Sequence, residues 1–108
     1  MNTEDKFYFG MSVKAKIELV KQIASSIGVR PDAVTDDGKY VYFEYKGKER
    51  QKDVQPARAK LSSALWPYGA HGADIAVNSN IRDPDNPVFS IYVSTRRITK
   101  EPKQRLTS

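Results

Sequence analysis

Tyr8, Tyr42 and Tyr92 are the residues whose type and spacing point most directly to chemistry. Each stands in a stretch where apolar and polar side chains alternate, at the parity expected to face water: Tyr8 between Phe7 and Phe9, Tyr42 between Val41 and Phe43, Tyr92 between Ile91 and Val93. A flat ring on a wetted sheet face can stack on an unpaired base for roughly 1–3 kcal/mol. The competing explanation is ordinary strand composition, because tyrosine favours any half-wet pleated surface.

Cations supply the second ingredient. Lys46, Lys48, Arg50 and Lys52 alternate in sequence, and in an extended segment they would project to one side as a row able to follow phosphates. Arg58 and Lys60 extend the run, and Lys46 to Lys60 carries a net +4. Residues Arg96 to Arg105, beginning with Arg96 and Arg97, carry another +4, although the whole chain is only +5. Charge gathered this way is the pattern of an electrostatic binding face, and also that of a solvated surface.

A different use of the surface is suggested by Trp66, Tyr68 and His71, which lie close together after a helical pattern. Tryptophan and tyrosine dominate protein–protein hot spots, so these three are the anchors expected of a protein-binding regulator or inhibitor docking on an acidic protein or nucleoprotein complex. Alternatively, Trp66 closes the end of the helix into the core.

Catalytic patterns are not legible. The glycines, at 10, 28, 38, 47, 69 and 72, do not form a phosphate-cradling loop, and His71 is the lone histidine with no patterned partner. Without cysteine there is no disulfide, thiolate metal site or thiol nucleophile. Asp32, Asp36 and Asp37 do not follow a calcium-loop spacing, and turn chemistry explains them better. The expectation is a non-enzymatic protein with no metal and no cofactor.

These side chains need elements to position them. The alternation over Lys6 to Met11 predicts a first strand. Ser12 is a candidate N-cap for a helix whose apolar stripe is Val13, Ile17, Val20, Ala24 and Ile27, with Lys14, Lys16, Glu18, Lys21 and Gln22 on the wet side and Gly28 just past the C-cap. A turn-rich connection follows, in which Ala33 to Thr35 can form a short strand. Lys39 to Lys46 is the clearest strand, with Val41, Phe43 and Tyr45 inward. Asp53 is a candidate N-cap for a second helix with its stripe at Val54, Ala57, Leu61, Ala64 and Leu65 and with Pro56 in its first turn. Residues 74 to 81, with Ile75, Val77 and Ile81 inward, and Val88 to Ser94 read as a hairpin around a long polar turn.

A chain of 108 residues with 39% hydrophobic and 29% charged residues is one globular domain, here residues 1–98 followed by a basic, flexible tail from 99 to 108. The predicted class is α+β: a two-layer sandwich in β-α-β-α-β-β order, two helices on one face of a four-stranded mixed sheet, with right-handed crossovers between parallel strands. If Ala33 to Thr35 is a strand, the order becomes a ferredoxin-like β-α-β-β-α-β plus one extra strand. The first order resembles that of RNA-associated small domains such as the C-terminal domain of bacterial translation initiation factor three. That resemblance covers the sequence of elements and no individual motif. No apolar run is long enough for a bilayer span and the N-terminus lacks a signal-peptide pattern, so the expectation is a cytoplasmic protein with no membrane partner. The function expected is binding of nucleic acid, with RNA or another single strand favoured over duplex because no helix is basic enough to read a groove.

Overall fold

The computed structural model describes residues 12–99. The predicted first strand with Tyr8, and the tail from Lys100 onward, lie outside the described residues. The fold runs α1 (Val13–Ser26), β1 (Ala33–Asp36), β2 (Tyr40–Lys46), α2 (Gln51–Leu65), β3 (Ile75–Asn80) and β4 (Val88–Ser94).

Helix α1 forms as its stripe dictates. The Ser12 side chain accepts from the backbone N–H of Ala15 at 3.1 Å, and Gly28 follows the Ile27 cap with a φ of 83°. Two residues depart from the expected faces: Val13, expected in the stripe, is 49% exposed, and Lys16 departs the other way. Lys16 is buried, not wet, and its ammonium donates to the Arg96 carbonyl at 3.3 Å. The long aliphatic stem makes that burial tolerable, and burial lowers the pKa of the amine.

The second helix begins earlier than its apolar stripe suggests. Gly47, at a φ of 101°, lets the chain leave β2 into a 3-10 turn over Lys48–Arg50, which continues straight into α2. Asp53 is therefore not the N-cap but a first-turn residue, and Pro56 falls at the sixth helical position, one turn deeper than expected. Val54, Ala57, Leu61 and Leu65 still face the core, as their spacing requires.

The sheet differs more from expectation. Its order is β1-β2-β4-β3, and every neighbouring pair is antiparallel, so it is not mixed. Ala33 to Asp36 does form a strand, with Val34 opposite Phe43, which the leading β-α-β-α-β-β order omitted. The ferredoxin-like order does include it; among the described strands β2 has β1 on one side and β4 on the other. Since β4 is antiparallel to both β2 and β3, those two run the same way with β4 between them. The β2-α2-β3 unit is thus a split β-α-β.

Both helices pack on one sheet face, where Val41, Phe43, Tyr45, Phe89, Ile91, Val93 and Ile75 meet Ile17, Val20, Ala24, Leu61 and Leu65 in one buried cluster. Ile81, expected inside, lies past the end of β3 and is 56% exposed. Thr99, expected to begin a free tail, is held at Tyr68, whose carbonyl accepts from its N–H at 2.8 Å and its hydroxyl at 3.1 Å. Among the described residues no helix is long and apolar enough to cross a membrane.

Candidate nucleic-acid interface

The sheet face away from the helices carries the other half of each alternation. On β2 these are Tyr40, Tyr42, Glu44 and Lys46; on β4, Ser90, Tyr92 and Ser94; on β3, Ala76, Asn78 and Asn80. Pairing places Tyr42 directly across from Tyr92 and Tyr40 across from Ser94. The three rings gather. Tyr40 meets Tyr92 edge-on with centroids 5.8 Å apart, and Tyr42 lies 6.3 Å from each of the other two at a tilt. With Asn78 they line a shallow depression of about 210 Å³.

Tyr42 is fixed by more than its neighbours. Its hydroxyl donates to Asp37 Oδ2 at 2.6 Å, while Asp37 Oδ1 accepts from the backbone N–H groups of Lys39 and Tyr40 at 2.9 and 2.8 Å. The hydrogen bond to the Asp37 carboxylate pushes the Tyr42 phenol up to about 12. Conversely, that same bond, with the two backbone donors, holds the Asp37 carboxyl below the ordinary carboxylate range. The ring is thereby held in one orientation.

Next to Tyr40, a hollow of about 400 Å³ is lined by Val13, Gly38, Lys39, Ser94, Thr95 and Arg96. Thr95 is buried and donates its hydroxyl to the Lys39 carbonyl at 2.8 Å, so the segments bearing Lys39 and Arg96 are tied together at the end of the tyrosine cluster. Lys46, exposed, stands at the opposite end of β2 on the same face. Lys39 and Arg96 thus line a hollow at one end of β2, beside Tyr40, and Lys46 stands at the other end. The seven residues of β2 span roughly 20 Å between those ends.

The remaining cations are not assembled there. The expected row from Lys46 to Lys52 does not exist, because the chain turns helical at Lys48 and winds the side chains apart. Arg50 is a structural residue. Its Nε donates to Asp32 at 3.2 Å, Nη1 to Asp53 at 2.7 Å and Nη2 to the Arg30 carbonyl, and its guanidinium lies 4.8 Å from the centre of the Tyr45 ring. Arg58 is likewise engaged, donating from Nε to the Ile75 carbonyl at 3.2 Å. Lys48 pairs with Asp85 at 3.7 Å, and Arg97 lies 3.9 Å from Asp74. Lys52 and Lys60 are exposed on α2, in the layer opposite the tyrosines.

The aspartates serve the turns. Asp32 accepts from the Lys46 N–H at 2.8 Å, and this bond, with Arg50 beside it, lowers its pKa; Asp36 accepts from Lys21 and from the Gly38 N–H, each at 3.2 Å. Among the described residues no group of three acidic, histidine or cysteine side chains can hold a metal ion.

Of the second group, Trp66 is 63% exposed in a 3-10 turn, Trp66–Tyr68, that continues α2, so it does not plug the core. Tyr68 packs against the core and His71 is exposed, its N–H donating to Asp74 Oδ2 at 2.9 Å. Only Trp66 has the exposure of an anchor with a large apolar surface.

Tyr40, in the aromatic cluster, and Lys39, in the hollow beside it, are absent from the candidate residues the sequence singles out. Tyr40 shares the parity of Tyr42 and could be found from it; Lys39 becomes relevant only through the fold-level proximity of Arg96. No protein-family model matches the chain, and no curated protein or solved structure matches it either.

Proposed function

We propose that this protein is a non-enzymatic nucleic-acid binder that takes RNA or another single strand in preference to duplex. The observation that carries the reading is the cluster of Tyr40, Tyr42 and Tyr92 on the sheet face that no described helix covers, with Lys39 and Arg96 lining a hollow beside Tyr40 and Lys46 at the other end of β2. Unpaired bases stack on the rings, and Asn78, Ser90 and Ser94 offer hydrogen bonds to base edges or sugar hydroxyls. Binding rather than turnover suits the chemistry present. With its pKa near 12, the Tyr42 phenol stays protonated at neutral pH and serves as a donor, not a base.

Fluorescence anisotropy with short labelled oligonucleotides tests this. Single-stranded RNA should bind more tightly than duplex, with affinity falling steeply as salt rises. Tyr92→Ala should weaken binding about tenfold, the loss of one stacked base. No binding to any oligonucleotide at low salt, or full binding by Tyr40→Ala and Tyr92→Ala together, would sink the proposal.

The exposure of Trp66 favours a second reading, a protein-binding regulator that uses this ring as its anchor. A stoichiometric protein that co-purifies with the parent and is lost from a folded Trp66→Ala variant would support it.

A further inference from the structure

The helical layer contains a cavity of about 250 Å³ whose lining includes Arg30, Tyr45, Arg50, Asp53, Pro56 and Lys60. Tyr45 is only 1% exposed, and its hydroxyl is buried without a hydrogen-bond partner among the described residues. A buried hydroxyl in that condition is costly, and nearly all such groups in folded proteins are satisfied by protein, water or ligand. Burial also raises the pKa of this phenol, so at neutral pH it is a donor seeking an acceptor.

The charges around it choose the acceptor. Asp53 is the carboxylate in the lining and shares Arg50 with Asp32, one cation against two carboxylates, and the same guanidinium donates to the Arg30 carbonyl. Arg30 and Lys60 remain, both exposed and neither in an ion pair among the described residues. Arg30, Arg50 and Lys60 against Asp53 and Asp32 leave one positive charge in surplus, which disfavours a cation and favours an anion over a neutral ligand. The volume lies below the roughly 300 Å³ at which drug-sized ligands begin, so the occupant is one small group.

We propose that this cavity binds a small oxyanion of the phosphate class, which accepts the hydrogen bond of Tyr45 and is neutralised by Arg30 and Lys60. The site lies in the layer opposite the tyrosine patch and does not rest on the reading of that patch. Its oxyanion is either a free ion or the terminal phosphate of a nucleotide chain.

The test is a titration of the full chain with inorganic phosphate, at constant ionic strength against chloride, followed by the NMR signals of the Tyr45 ring and the Lys60 side chain. A parallel titration uses a 5′-phosphorylated dinucleotide and its unphosphorylated counterpart. The expected result is a saturable shift at both reporters, with affinity about tenfold weaker in Tyr45→Phe, read at Lys60, and in Lys60→Met, read at Tyr45, the loss of one charge-assisted hydrogen bond or charge. Tyr45→Phe removes only a hydroxyl from the core and should melt no lower than the parent, which separates lost binding from lost fold. Saturation by inorganic phosphate supports a free ion. Saturation by the phosphorylated dinucleotide alone supports a chain terminus. The proposal is overturned if neither phosphate compound saturates, if the unphosphorylated dinucleotide acts equally, or if Tyr45→Phe binds as the parent does.

Discussion

Asp37 and Tyr42 form a unit in which each group perturbs the other in the direction a shared hydrogen bond demands. The carboxylate accepts three donors and is held below its ordinary pKa, while the phenol that supplies one of them rises from 10.0 to about 12. The signs differ. Asp37, depressed on folding, contributes stability that is present above the ordinary carboxylate pKa of 3.8 and is lost as pH falls through its folded value. Tyr42, raised on folding, contributes stability that is complete below pH 10 and is lost as pH rises toward 12. Asp37→Asn should therefore bring the Tyr42 midpoint back toward 10 and flatten the alkaline loss of stability between those values. Phenolate absorbance referenced to a Tyr42→Phe control, with urea midpoints along the same pH series, reads both effects. An unmoved Tyr42 midpoint would mean that the hydrogen bond to Asp37 does not orient the ring. Arg50 makes the complementary point about residues: it has the side chain of a phosphate ligand, yet three acceptors and the Tyr45 ring already occupy it.

Elements were legible where one periodicity ran long enough to exclude the other. The stripe of α1 and the alternations of β2 and β4 are of this kind, and the inward residues Val41, Phe43, Tyr45, Phe89, Ile91 and Val93 are all buried as expected. The stretch from Lys46 to Lys52 was not, because lysine and arginine at every second position carry no apolar phase. Alternation in charge alone fits an extended row and a helical winding equally, and Gly47 decides for the latter. Sheet order was illegible for a related reason: the hydrophobic pattern says which side of a strand is buried, not which strand lies beside it. Lys16 was misplaced because its charge marks it as wet while its stem is mostly hydrocarbon. Joints between elements depend on single backbone conformations, and Gly69 shows how much. It ends the Trp66–Tyr68 turn at a φ of 111°, and a Cβ there would collide with the Arg97 carbonyl. Gly69→Ala should cost roughly 2–3 kcal/mol from the left-handed backbone and the clash together. Gly72→Ala, with no atom in its way and no positive φ, should change stability by less than about 0.5 kcal/mol. Comparable losses in the two urea melts would show that the Gly69 joint is not constrained as described.

At the scale of the whole molecule, the net charge is +5, and the fold divides the cations of the described residues between two layers. Lys39 and Arg96 line the hollow beside Tyr40 and Lys46 shares the tyrosine face, whereas Lys52 stands on the exposed side of α2 behind the sheet. A helix is about 10 Å across, so a charge on its far side is separated from the patch by the helix and the sheet together. That exceeds the Debye length of about 8 Å at physiological ionic strength, and such a charge is largely screened from a strand bound on the tyrosines. Net charge and local charge consequently make different predictions for the same change of two units. If the tyrosine face is the binding site, Arg96→Glu should weaken oligonucleotide binding more than about tenfold at physiological salt and reduce the slope of log affinity against log salt. Lys52→Glu should change affinity less than about twofold under the same conditions, although it alters the net charge identically. At low salt the gap should narrow as screening weakens. Equal losses from the two variants at physiological salt would instead place the nucleic acid across the helical layer, and the tyrosines would then be no more than strand residues on a wet face.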